Sequence, residues 1–101
     1  MKSTNIISWL ERFNRRNCDR TSNSKFEIFV KSFQTRGWSV TIDLDGTSLS
    51  GASCERMDIE RGPDNWVRCY VKDDVWEAIG GPHNLKEILE LFRQWVELQN
   101  K

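Results

Sequence analysis

Three cysteines, one histidine and several paired carboxylates are the residues of this chain whose types could do chemistry. Covalent catalysis needs a nucleophile, a base within hydrogen-bond reach and a group that orients the base. Cys18 with His83 is the pairing the residue types allow. Neither lies in a known local signature. Cys54 and Cys69 read as small residues of a loop or strand, and His83 as part of the entry to a helix. The cysteine spacings match no zinc or redox motif, and a single histidine leaves a Cys/His metal site short of ligands. The carboxylates pair as Asp43 with Asp45, Asp58 with Glu60, and Asp73 with Asp74. Acid/base work requires one member of a pair to be desolvated, so that its pKa rises. These pairs fall on polar faces or in turns, which reads as solvated charge. No catalytic residue, metal or cofactor is therefore expected.

Two other features could hold an anion. Gly80-Gly81-Pro82 precedes a helix start, where backbone N–H groups favour phosphate. The glycine spacing of a nucleotide loop and its lysine are absent, so a sheet-to-helix turn explains the glycines. Arg12, Arg15, Arg16 and Arg20 form a basic cluster on a helix and the loop after it. Nucleic-acid binding would want a basic stripe with interleaved aromatics, and a net charge of zero argues against it. A small enzyme or ligand site around Gly80–Asn84 with Cys18, and a nucleic-acid regulator, stay open as alternatives.

The elements that position these residues are set by periodicity. Residues 4–17 read as a helix, with Ile6, Trp9, Leu10 and Phe13 at i, i+3, i+4 and i+7. Ser3, Thr4 or Asn5 would cap it. Five strand-like stretches come next, at 25–33, 37–44, 55–61, 66–72 and 75–79. The second is the clearest, alternating Trp38, Val40, Ile42 and Leu44 with Ser39, Thr41 and Asp43. Asp45-Gly46, Gly62-Pro63-Asp64-Asn65 and Asp73-Asp74 read as turns. Asn84 opens a second helix with Glu87 in capping-box position, and Leu85, Ile88, Leu89, Phe92 and Trp95 form its apolar stripe. The expected fold is α+β. A five-stranded antiparallel meander sheet is flanked by an N-terminal and a C-terminal helix, both packed on one face, in the order α-β-β-β-β-β-α. With 101 residues, 1–101 is expected to be a single domain.

If the helices cover one face of the sheet, the other is left over. Phe29, Asp43, Asp58, Glu60, Trp66, Arg68 and Tyr70 then point away from the helices, beside Thr41 and Glu77. Aromatic and arginine anchors among acids are what protein interfaces favour, although a solvated sheet face also carries aromatics. The seven are the candidate partner-binding residues, with Trp66, Arg68 and Tyr70 at the centre.

Charge is unevenly spread. Residues 1–40 hold eight Lys/Arg against three Asp/Glu, and residues 41–101 hold seven against twelve. The two regions either neutralise each other in the fold or leave an acidic surface for a basic partner. The segment Ile6-Ile7-Ser8-Trp9-Leu10 is too short for a signal peptide, and no apolar run is long enough to cross a membrane. With an odd number of cysteines, the expectation is a reduced cytoplasmic protein with free thiols and no membrane or nucleic-acid partner.

Gly37-Trp38-Ser39-Val40-Thr41-Ile42-Asp43-Leu44-Asp45-Gly46-Thr47 resembles a central motif of the immunity protein 53 family. Trp9 to Cys18-Asp19, Asn65-Trp66, Gly80-Gly81-Pro82-His83-Asn84-Leu85 and Phe92-Arg93-Gln94-Trp95-Val96 fit the same family in the same order. One stretch departs. After the Cys-Asp, members run through Gly and a Trp-Glu-His stretch, where this chain has Arg20 to Phe26. The resemblance implies an immunity protein of a bacterial polymorphic-toxin system. Such a protein neutralises a cognate toxin by stoichiometric binding and needs no catalytic group.

Overall fold

A computed structural model describes residues 5–20, 27–33 and 36–99, with the side chains of 18–20 excepted. Helix α1 (Ile6–Arg20) is followed by β1 (Ile28–Ser32), β2 (Trp38–Asp43), β3 (Met57–Gly62), β4 (Asn65–Lys72) and β5 (Val75–Gly80). Helix α2 (Leu85–Gln99) completes the order. Asn5 caps α1, its Oδ1 accepting from the backbone N–H of Ile7 at 2.8 Å and of Ser8 at 3.4 Å. The other two capping candidates, Ser3 and Thr4, lie outside the described residues, as does Phe26 of the first strand-like stretch.

All five strands form one antiparallel sheet, as the α+β reading requires, in the order β1-β2-β5-β4-β3. A strict meander would place β3 beside β2. The structure corrects this one point: β5 lies there instead, with Val40 opposite Ala78 and Ile42 opposite Trp76. Asp45-Gly46 does turn the chain, with Gly46 at φ 83°. It opens a long connection over residues 44–56 rather than a hairpin. That stretch lacks strand alternation and carries the chain past two intervening strands, about 14 Å at the spacing of a sheet. The remaining neighbours are hairpins. The β4–β5 turn is made by Asp73 and Asp74 at φ 53° and 63°, the left-handed pair that a two-residue hairpin needs.

The connection is tied down at several points. Leu44 and Leu49 are buried. Thr47 donates its hydroxyl to the Leu44 carbonyl at 2.6 Å. Asp74 accepts from the Ser50 hydroxyl at 2.6 Å and from the Gly51 N–H at 2.9 Å. The indole N–H of Trp95 donates to the Ser53 carbonyl at 3.0 Å, so α2 holds the loop's far end.

Alternation divides the sheet into two faces. Val40, Ile42, Val67, Cys69, Trp76 and Ala78 are buried on one of them, together with Ile88, Leu89, Phe92, Trp95 and Val96 of α2. Phe92 is the hub. Its ring meets Trp76 at 5.0 Å, Phe13 at 5.2 Å, and Trp9 and Trp95 at 6.1 Å each. Helix α1 enters the core through Ile6 and Phe13, while Trp9 stacks on Phe13 at 5.2 Å and stays half-buried. Both helices thus share the inner face, as the two apolar stripes imply.

Candidate functional site

No element covers the outer face of the sheet among the described residues. Strand register assembles its rows. Arg68 lies between Ile79 and Asp58, Tyr70 is opposite Glu77, and Trp66 is opposite Glu60. These side chains join end to end. The Arg68 guanidinium lies 5.4 Å from the centre of the Trp66 ring, and its Nε is 3.3 Å from Asp58 Oδ1. The other Asp58 oxygen takes Arg56 Nε at 3.2 Å. Arg56 in turn lies 5.5 Å over the Tyr70 ring, and the Tyr70 hydroxyl donates to Glu77 Oε1 at 3.1 Å. That hydrogen bond to a carboxylate holds the Tyr70 pKa above its usual range.

This chain of contacts does little for stability. Arg56, Asp58 and Arg68 side chains are 62%, 54% and 49% exposed, and exposed ion pairs contribute about 0–1 kcal/mol each. Its effect is to order the surface. Long side chains that would otherwise lose rotamer freedom on binding are already held, which lowers the cost of docking. Arg56, Asp58, Glu60 and Arg68 also line a shallow hollow of about 340 Å³ at this edge of the sheet.

Of the seven candidate residues, the structure brings together Asp58, Glu60, Trp66, Arg68 and Tyr70. Phe29 and Asp43 share the face but stand apart. Phe29 lies on β1, three strands from Tyr70 and thus about 14 Å away. Asp43 is engaged at the end of β2, where its Oδ1 accepts from the Asp45 N–H at 3.0 Å. Arg56 is a member of the strip that is absent from the seven candidates, although it lies in the strand-like stretch 55–61; the structure places it just before β3 begins. Continuing the alternation of Asp58 and Glu60 back by two residues finds it. Ile79, 36% exposed in the middle of the face, is missed as well, since in sequence it is one more apolar strand residue.

Several of the other chemical candidates have structural uses. Residues Arg16 and Asn17 of α1 line a hollow with Val96 and Glu97 of α2. The turn that carries Cys18 is therefore at the opposite end of α2 from His83, roughly 18 Å along the helix axis. Burial raises the Cys54 pKa and pushes Cys69 up to about 11, which suppresses the thiolate. The glycine doublet is there for close packing. A Cβ on Gly81 would be 2.6 Å from the Asp64 carbonyl oxygen, and one on Gly80 would be 2.9 Å from that of Trp66. The same contact zone explains Gly37, where a Cβ would fall 2.0 Å from the Gly80 oxygen.

The start of α2 is occupied by its own side chains. Buried Asn84 donates to Asn65 Oδ1 at 3.0 Å and to Glu87 Oε1 at 2.9 Å, and accepts from the Trp66 N–H at 3.3 Å. Arg61 clamps Glu87 with two bonds of 3.0 and 2.7 Å. A carboxylate in the first turn takes the place an anion would need. Arg12, Arg15 and Arg16 are exposed on α1, whereas the Arg20 side chain lies outside the described residues.

Residues 7–97 match the model of a protein family described as Immunity protein 53. The chain belongs to that family. The match takes in all five strands and most of both helices, and an immunity protein's partner is a toxin. The stretch where the chain departs from the family pattern, after Cys18-Asp19, falls largely at 21–26, outside the described residues. No curated protein and no solved structure matches the chain.

Proposed function

We propose that this member of the immunity protein 53 family neutralises a cognate bacterial toxin in the cytoplasm by stoichiometric binding, and that the outer sheet face makes the contact. The supporting observation is the ordered strip Trp66–Arg68–Asp58–Arg56–Tyr70 on a face that no described element covers. Tryptophan, tyrosine and arginine are the side chains that most often carry interface energy. The strip sets the aromatics and the arginines next to each other, with Ile79 as an apolar centre and Glu60 at the rim. Blocking a toxin this way calls for shape and charge and for no reacting group.

The test is a complex with a candidate toxin, sought among the products of the neighbouring genes and measured by co-purification and calorimetry. Trp66→Ala and Arg68→Ala should each weaken the complex by roughly 30-fold, about 2 kcal/mol, with an unchanged circular dichroism spectrum. Full affinity in both variants would move the contact off this face. Absence of any complex with the wild-type chain would remove the toxin-binding reading itself.

A further inference from the structure

The sheet has two outer strands, and their sequences treat the open edge differently. Edge strands attract further strands unless they are guarded by charge, proline or a bulge. Strand β3 has all three: Asp58, Glu60 and Arg61, a register shift between Glu60 and Gly62, and Pro63 directly after it. Strand β1 has an unbroken register against β2 and no proline. Its alternation shows which groups no described strand pairs. Asp43 donates its N–H to the Glu27 carbonyl, and Phe33 donates to that of Gly37. The bonds to β2 therefore run through Glu27, Phe29, Lys31 and Phe33. The N–H and C=O groups of Ile28, Val30 and Ser32 point out of the sheet. Apolar side chains flank them on both faces, with Phe29 59% and Val30 45% exposed.

We infer that β1 pairs with β1 of a second copy, antiparallel about a two-fold axis at Phe29, joining two sheets into one of ten strands. The strand is complementary to itself in that register. Phe29 faces Phe29 of the other copy, as a non-hydrogen-bonded pair in which side chains approach most closely. Ile28 faces Val30, exchanging the outward N–H and C=O groups. Glu27 faces Lys31 at both ends, so each copy supplies one charge to each of two opposite-charge pairs. Neither charge is answered across its own sheet: Glu27 is opposite Asp43, a like charge, and Lys31 is opposite Ser39. Shifting the axis to Lys31 would set two lysines against each other. Shifting it to Val30 would leave Glu27 opposite Phe33 and Lys31 opposite Phe29.

Sedimentation velocity and light scattering on the full chain, over a concentration series, test this. The wild type should sediment at twice 11.9 kDa at high concentration and dissociate on dilution. Lys31→Glu and Glu27→Lys should each weaken self-association by on the order of tenfold or more, since each sets like charges opposite at both ends. Both positions are solvent-exposed, so the fold, checked by circular dichroism, should persist. The double exchange E27K/K31E should restore the dimer. A wild type that stays monomeric at concentrations on the order of several hundred micromolar overturns the inference. So do single variants that dimerise like wild type, or a double exchange that fails to restore pairing. No toxin enters this experiment, so its outcome is independent of the proposed toxin contact.

Discussion

Asn84 shows how much one buried polar side chain can join. It connects the first turn of α2 to the start of β4, and through Glu87 to Arg61 on β3. Replacing it with alanine removes all its partners at once and leaves the Trp66 N–H without an acceptor. Asn84→Ala should cost about 1–3 kcal/mol, the penalty of unsatisfied buried groups, readable as a lower urea midpoint. Because Trp66 hangs on the same contact, that variant should also loosen the outer-face strip. The capping-box spacing of Asn84 and Glu87 is visible in the sequence. The partners of Asn84 on another strand are not, because nothing local encodes a contact between residues 65 and 84.

Each element is legible from its period, and the reason is visible in the packing. Helix α2 buries Ile88, Leu89, Phe92 and Trp95 of its apolar stripe and leaves Leu85 half-buried, and Phe92 at its centre touches four other aromatic rings. Phe92→Ala should destabilise the protein by about 3–5 kcal/mol, with a matching fall in thermal midpoint and loss of near-ultraviolet dichroism. The placement of strands is less legible. Asp45-Gly46 carries the chemistry of a hairpin turn, and the decision against one comes from the ten residues after it. Residues 47–56 show no alternation, and a connection this long between sheet strands is unusual for a hairpin. Which strand fills the gap beside β2 depends on how the helices and the loop pack, a property of the assembled core. The outer face is easier to read, since one correct assignment of inward residues on β4 fixes Trp66, Arg68 and Tyr70 together. What that assignment lacks is distance across the sheet, which separates Phe29 from the rest.

For the molecule as a whole, two clamps tie distant parts of the chain through carboxylates. Asp74 holds the long connection, and its hydrogen bonds to Ser50 and Gly51 lower its pKa. Glu87 holds the β3–β4 hairpin to α2, and its bond to Arg61 lowers its pKa. A carboxylate more acidic in the folded chain than in the unfolded one stabilises the fold above its unfolded pKa, near 4. That contribution fades as pH falls through the folded value. Stability in urea should therefore be flat near neutrality and decline below about pH 5. The double variant D74N/E87Q should show a shallower decline from a lower plateau. The order of the strands has a consequence for synthesis as well. The last strand to leave the ribosome is the middle strand of the sheet. Until β5 emerges, β2 and β4 each lack the strand that lies between them in the finished sheet. The five-stranded sheet can therefore be completed only after Gly80 has been added to the nascent chain, when the β1–β2 and β3–β4 hairpins gain the neighbour they share.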